Sequence, residues 1–188
     1  MVLKPDDYDF GDASNYSFAN DITCSNDETR KMYILAHGHM LNYNHEEAIA
    51  CFQKCTELDP DCAMAWWGIA YCLSSNYNWS PGLGSGHDPI QQAMSLKDKC
   101  TELEQDLINA LAERHSEEAR DAADPSVLNM GNSPELNIAF ADAMAPLYEK
   151  YRGNLDVTAI YVEALMNLKA WQLWDKNTKT GEITPADD

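Results

Sequence analysis

Basic residues are scarce in this sequence of 188 residues, which has 13 Lys and Arg against 31 Asp and Glu and a formal net charge of −18 at pH 7. A surface with that charge repels phosphate backbones and favours basic or neutral partners, so nucleic-acid binding is not expected. Long apolar runs are also missing, and the start MVLKPDDYDFGD becomes acidic too early for a signal peptide. These absences predict a cytoplasmic protein that does not insert into membranes.

Motifs for zinc, disulfides and common catalytic sites are missing as well. The six cysteines include no C-x-x-C pair, and four of them lie inside apolar helical patterns, which predicts small buried hydrophobes in a reducing compartment. The sequence contains no G-x-S-x-G, no phosphate-binding G-x-x-x-x-G-K-[ST] and no H-E-x-x-H. We therefore predict no catalytic residue, no metal ligand and no cofactor, and we do not expect the protein to turn over a substrate.

Six helix starts are recognisable. Three pair a capping residue with a carboxylate three positions later, which satisfies free backbone N–H groups at a helix start: Ser25 with Glu28, Asn44 with Glu47 and Thr101 with Glu104. Three others place a proline after a capping residue, where its missing N–H costs nothing: Asp59-Pro60, Asp88-Pro89 and Ser133-Pro134.

Apolar residues recur with helical spacing between these starts. The predicted inward-facing stripes are Ala48, Phe52 and Cys55; Ala63, Trp66, Ala70 and Leu73; Leu103, Leu107 and Leu111; Leu136, Phe140, Ala143, Leu147 and Tyr151; and Val157, Tyr161, Ala164 and Leu168. No segment alternates convincingly with period two. The pattern predicts an all-α chain of about seven helices.

The chain divides into three parts by composition. Residues 1–24 hold five aspartates, one lysine and four aromatics without helical spacing, which indicates an acidic, aromatic N-terminal arm. Residues 25–175 form the predicted helical domain, and 176–188 a polar C-terminal tail or linker. Two long loops, 74–89 and 117–134, are either tolerated insertions or functional lids.

A 34-residue spacing links the first helices. Counted from Thr29, small residues fall at positions 8 and 20 (Ala36 and Ala48), Phe52 falls at 24 and Pro60 at 32, and the next unit begins at Ala63. Over residues 29–73 this resembles the tetratricopeptide repeat (TPR) pattern. The resemblance implies a right-handed α-solenoid of antiparallel helix pairs, in which the segment 44–73 is two helices broken at Asp59-Pro60.

Two longer segments carry a further resemblance. YNHEEAIACFQKCTELDPDCAMAWWGIA followed by NYN, and YVEALMNLKAWQLW, are similar to the amino-terminal part of larger TPR-containing proteins of bacteria and some eukaryotes. The resemblance implies that this chain corresponds to an opening section followed by more repeats. It implies no particular activity.

The resemblance also implies a binding surface. In TPR proteins positions 2, 5, 9 and 12 of each first helix point into the concave face, and here they are Arg30, Tyr33, His37, Met40, Met64, Trp67, Tyr71 and Ser74. Such an aromatic and methionine-rich surface suits a peptide. With equal weight, these residues instead cover the acidic arm or pack against further repeats.

The HGH motif is the obvious place to look for a metal. His37 and His39 are two positions apart, so their side chains point about 200° apart on a helix and do not share a metal. His39 falls at a position that TPR proteins pack inward, which predicts a core histidine.

Three functions are open at this point. The favoured one is a protein–protein interaction scaffold that binds a peptide segment or subunit on its concave face. A second is a structural subunit of a larger complex, held through the arm and the loops. A third is a metal-binding or redox protein that uses His37 with nearby Cys or Asp residues brought together by the fold.

Overall fold

The computed structural model describes residues 21–78, 86–115, 134–177 and 179–185. In these residues it contains seven α-helices, one short 3₁₀ helix and two short strands. The helices are α1 (Asp27–Leu41), α2 (His45–Leu58), α3 (Ala63–Leu73), α4 (His87–Leu96), α5 (Glu102–Glu113), α6 (Pro134–Lys150) and α7 (Leu155–Leu168). The 3₁₀ helix is Lys97–Lys99, and the strands are β1 (Trp174–Lys176) and β2 (Ile183–Pro185).

Helices that follow each other along the chain pack against each other. This holds for α1 with α2, α2 with α3, α3 with α4, α4 with α5, α5 with α6 and α6 with α7. In addition α1 touches α3, and α3 touches α5. The expected predominance of helix is confirmed, and α3 contacts both α1 and α5.

The contact between α2 and α3 explains why the 44–73 segment contains so many small residues. Phe52 of α2 has no exposed surface, and its ring lies directly over Gly68 of α3. Ala48 and Ala70 are also fully buried, so the two helices approach closely. The predicted break between them is confirmed, because α2 ends at Leu58 and α3 begins at Ala63.

Two details of this break differ from the prediction. Pro60 is not the first residue of α3 but lies in the connection, where its carbonyl accepts a hydrogen bond of 3.1 Å from Trp66 Nε1. That bond holds Trp66 at the edge of the core, partly exposed, while its neighbour Trp67 is fully buried. Trp67, and not Trp66 as predicted, is therefore the tryptophan of α3 that packs into the core.

The other predicted helix starts are correct within two residues. Asn26, not Ser25, caps α1 by accepting a hydrogen bond from the Thr29 N–H. Asn44 precedes α2 without a side-chain capping bond, α4 begins two residues before Pro89, and α6 begins at Pro134. Thr101 and Glu104 form the complete reciprocal capping box at α5.

Glu104 also fastens the segment that precedes α1. Its two carboxylate oxygens accept hydrogen bonds of 2.7 Å from the Thr23 N–H and the Thr23 hydroxyl. The neighbouring Ile22 is 2% exposed and belongs to the core, and the Ser25 N–H donates to the Asp59 carboxylate at 2.6 Å. Residues 22–25 are thus packed on the helices, whereas residues 1–20 of the predicted arm lie outside the described residues.

We expect Glu104→Gln to lower the free energy of unfolding by about 1–2 kcal/mol, because an amide cannot accept from every N–H and O–H group that the carboxylate serves. Urea unfolding followed by circular dichroism measures the change. Glu113→Gln, an exposed position on the same helix, is the control and should leave stability unchanged. Equal stability of the two variants would show that Glu104 does not hold the segment.

The two strands were not predicted from the sequence. β1 and β2 form an antiparallel hairpin in the register Trp174 with Pro185, Asp175 with Thr184 and Lys176 with Ile183. All residues of both strands are exposed, so neither strand has one face against the core. A face of that kind produces the alternation of apolar and polar residues by which a strand is recognised in a sequence. The hairpin begins at Trp174, two residues before the predicted tail 176–188. Residues 79–85 of the predicted loop 74–89 and residues 117–133 of the predicted loop 117–134 lie outside the described residues, and the first loop ends earlier than predicted because α4 begins at His87.

Membrane insertion was tested on the described helices. None of them combines the length and the apolar character that crossing a membrane requires.

Candidate functional site

The eight residues predicted to line a concave face are mostly inside the protein. Tyr33, His37, Met64 and Trp67 have no exposed surface. Met40, Tyr71 and Ser74 are also buried, and Arg30 is partly exposed, with its guanidinium donating to the Ile22 carbonyl at 2.9 Å. These residues lie together on α1 and α3, as the repeat spacing requires, but they do not form an open surface.

Side chains of α6 and α7 cover this face. Phe140 of α6 packs edge-on against Tyr71 with ring centroids 6.2 Å apart. From α7, Asp156 lies 3.9 Å from His37 Nε2, and Glu163 accepts a hydrogen bond from the Tyr71 hydroxyl. The face that would hold a peptide in an open repeat array is therefore occupied by the chain's own last two helices.

The aromatic residues of the face are fixed by polar bonds as well as by packing. Trp67 donates from Nε1 to the Leu107 carbonyl of α5 at 3.0 Å, and its ring stacks on Tyr71 with centroids 5.2 Å apart. Tyr33 stacks on His37 and packs against Phe52. Tyr33, Trp67 and Tyr71 are all buried, so the face is a packed interior.

Arg114, at the end of α5, connects three parts of the chain. Its Nη2 donates to the Ser75 carbonyl at 2.7 Å, to the Ser75 hydroxyl at 2.8 Å and to Asn137 Oδ1 of α6 at 2.6 Å. The guanidinium also lies over the Phe140 ring, 5.4 Å from its centroid. Asn137 then donates to the Asn167 carbonyl of α7 at 3.2 Å. Arg114 is 3% exposed, and this network ties α6 and α7 to the end of α3.

Burial shifts the ionisable groups of this interior toward their neutral forms. It raises the pKa of Glu163, although the Tyr71 hydroxyl and Arg114 act in the opposite direction. It raises the pKa of Tyr71 and Tyr33, and it lowers the pKa of His37 against the attraction of Asp156. Such shifts occur at catalytic sites and in structural networks alike. Here every group named is engaged with a neighbouring helix.

The histidines of the HGH motif differ from the prediction. His39, expected in the core, is partly exposed, whereas His37 is fully buried. The reason is that the buried stripe of α1 runs through Tyr33, Ala36 and His37, and His39 falls beside it. In the described part of the chain, no three His, Cys, Asp or Glu side chains come together in a way that would hold a metal ion.

The four cysteines predicted to be buried are buried. Cys51, Cys55, Cys62 and Cys72 lie in the core, and none of the six cysteines is in a disulfide. Desolvation raises the pKa of Cys51 to about 11 and that of Cys62 to about 12, so neither forms a thiolate at neutral pH.

Helix α7 buries its polar residues together with Val157, Ile160 and Ala164, and its outer side is apolar. The side chains of Asp156 and Glu163 reach His37 of α1 and Tyr71 of α3, and the buried Asn167 accepts from Asn137 of α6 through its backbone carbonyl. The outer face of α7, defined by Leu155, Val162, Leu165 and Leu168, is 73%, 47%, 43% and 41% exposed at these residues. The helix has no charged residue other than Asp156 and Glu163. A surface helix normally shows the opposite arrangement.

This orientation corrects the predicted stripe of α7. Val157 and Ala164 are buried as expected, but Leu168 is exposed and Tyr161 only partly buried. The buried stripe instead continues through Ile160 and Asn167. Apolar residues occur on every side of α7, so spacing alone did not determine which side faces inward.

The chain matches no family model, no curated protein and no solved structure.

Proposed function

We propose that the protein is an interaction scaffold that binds another protein through the outer face of α7. The observation that carries this proposal is the apolar outer side of α7, which has four exposed aliphatic side chains and no charge. Contiguous exposed apolar surface on a water-soluble domain marks binding sites more often than chance. Trp171 and Trp174, which follow the helix, are 69% and 64% exposed and add aromatic surface.

The proposed partner is an amphipathic helix with an aliphatic stripe flanked by basic residues. The aliphatic stripe matches the outer face of α7, where helix-in-groove binding uses side chains spaced by three or four positions. The basic flanks match the charge, since the chain carries −18 and the adjacent helix α6 exposes Asp142. Electrostatic attraction of this kind speeds association and excludes acidic partners.

A right-handed solenoid of TPR type, a cytoplasmic location and membership of a larger complex belong to the same proposal. Consecutive helices that pack in pairs, with α1, α3 and α5 in contact, support the solenoid. Peptide binding by the eight residues on α1 and α3 stays a prediction. It requires the α6 and α7 helices to move away, because seven of the eight are buried.

We expect a photo-reactive amino acid at Val162 to cross-link in cells to one protein, at a site within a basic amphipathic helix identified by mass spectrometry. For the test variant, the photo-reactive group is moved to Leu168 and the substitutions Val162→Glu and Leu165→Glu are introduced. The cross-linked product should then disappear, because binding would desolvate two carboxylates against the apolar stripe of the partner. Ala50→Glu with Gln53→Glu, two exposed positions of α2, adds the same charge and should preserve it.

Circular dichroism and thermal unfolding confirm that both double variants remain folded. Loss of the product in both variants, or in neither, would contradict a binding site on α7. A product of twice the chain mass would assign the face to a second copy and overturn the proposed partner.

A further inference from the structure

The tripeptide Asn-Tyr-Asn occurs twice, at residues 42–44 and 76–78, so the two copies are 34 positions apart. That spacing equals one TPR unit, and each copy follows the first helix of a pair, α1 in one case and α3 in the other. The structure brings the two copies together. Tyr43 and Asn44 from the first and Asn76 and Asn78 from the second line one cavity of about 270 Å³.

The first turn of α2 completes the lining with His45, Glu46 and Glu47. The cavity is near the lower end of the range for ligand pockets, roughly 300–1,000 Å³, so it fits one side chain or a similarly small group. It does not involve the outer face of α7, and the inference below is independent of the proposed function.

The backbone and side chains around the cavity are held in place. Tyr43 has φ of 60°, a left-handed conformation that costs a non-glycine residue on the order of 1 kcal/mol. Its ring stacks on His45 with centroids 5.9 Å apart and only 8° between the ring planes. The Asn44 N–H, donating to the His39 carbonyl at 2.9 Å, closes the turn. Strain of this kind persists where the surrounding contacts require it.

Asn76 joins the two copies. Its Nδ2 lies 3.3 Å from His45 Nδ1, and its Oδ1 accepts a hydrogen bond of 2.9 Å from the Asn78 N–H. His45 is 5% exposed, and its Nε2 makes no hydrogen bond of good geometry among the described residues. Burial lowers the pKa of His45, with the Cys72 carbonyl acting in the opposite direction, so the imidazole adds no positive charge at neutral pH.

The charge of the cavity is negative. Glu46 and Glu47 are both exposed at its edge, and neither forms an ion pair with a described residue. The amino end of α2 contributes roughly half a positive charge, which two carboxylates outweigh. None of the described residues that line the cavity is Lys or Arg, whereas the carboxamides of Asn44 and Asn78 offer further acceptor oxygens.

We propose that this cavity binds the cationic side chain of an arginine or lysine from a partner protein. The two carboxylates and the carboxamide oxygens accept from its N–H groups, and the Tyr43 ring provides a face on which a guanidinium can stack. A phosphate or carboxylate ligand, which a bare helix start would attract, is opposed here by Glu46 and Glu47.

Amide chemical shifts of the intact protein test the proposal with defined probes. We expect Nα-acetylarginine amide to shift the backbone amides of Tyr43, Glu46 and Asn78 and the side-chain amide of Asn76 in a saturable manner. Nα-acetylcitrulline amide, its uncharged counterpart, should bind at least roughly tenfold more weakly, because charge-assisted hydrogen bonds are about twice as strong as neutral ones. Inorganic phosphate should not shift these signals.

A pair of variants separates the cavity from the overall charge. Glu46→Gln with Glu47→Gln should weaken binding of the arginine probe by about tenfold. Asp27→Asn with Glu28→Gln removes the same charge from the first turn of α1 and should leave binding unchanged. Equal binding of the two probes, shifts caused by phosphate, or equal weakening in both double variants would overturn the proposal.

Discussion

Gly68→Ala is expected to destabilise the protein by about 3 kcal/mol, the upper end of the usual cost of overpacking a core. A Cβ at this position would lie 2.4 Å from Phe52 Cζ and 2.6 Å from both Cε atoms. The Phe52 ring is fully buried and packs against Tyr33 with centroids 5.4 Å apart, so a shift of the ring disturbs other core contacts. On an exposed helix the same change would raise the free energy of unfolding by up to about 1 kcal/mol. The sign of the measured change therefore shows whether Gly68 is closely packed.

Chemical denaturation of Gly68→Ala, Phe52→Leu and the double variant measures the effect and its cause. The double variant should be more stable than the sum of the two single effects by about 1 kcal/mol or more, because leucine makes room for the added methyl group. A Gly68→Ala protein as stable as the original would contradict the close approach of α2 and α3.

Arg114→Met is expected to cost about 3–5 kcal/mol, the range for removing one member of a buried charged network. The methionine fills much of the same volume, so the loss comes from the hydrogen bonds to Ser75 and Asn137. It also removes the positive charge that favours ionised Glu163. Because the network ties α6 to the end of α3, the contacts of Tyr71 with Phe140 and Glu163 should weaken with it.

Denaturation is again the measurement, with near-ultraviolet circular dichroism to report on the packing of Trp67 and Tyr71. Arg152→Met, which removes an exposed arginine paired with Glu149, is the matched control and should have no measurable effect. Similar stability of the two variants would show that the Arg114 network contributes little to the packing of α6 and α7.

The first three helices could be predicted from the sequence because small residues fix their register. Ala36, Ala48 and Ala70 recur at the spacing of a repeat, and each is fully buried. A capping box predicts a helix start equally well when its geometry is complete, as at Thr101 and Glu104. These signals depend on residues close together in sequence, so they do not depend on how the rest of the chain packs.

The covering of α1 and α3 could not be predicted in the same way. It depends on contacts between residues far apart in sequence, such as His37 with Asp156 and Tyr71 with Glu163. Sequence reasoning placed the inward side of α7 at Val157, Tyr161, Ala164 and Leu168, of which Val157 and Ala164 are buried, Tyr161 is partly buried and Leu168 is exposed. A usable signal was the spacing of Asp156, Glu163 and Asn167, which lie on one side of a helix whose other sides carry no charge.

The solvent exposure of the α7 methyl groups tests the orientation of this helix most directly. A soluble paramagnetic probe should relax the methyl signals of Val162 and Leu165 several-fold faster than those of Val157 and Ile160, which are 1% and 0% exposed. Equal relaxation of the four residues, or faster relaxation of Val157 and Ile160, would contradict an α7 that buries Val157 and Ile160 and exposes Val162 and Leu165.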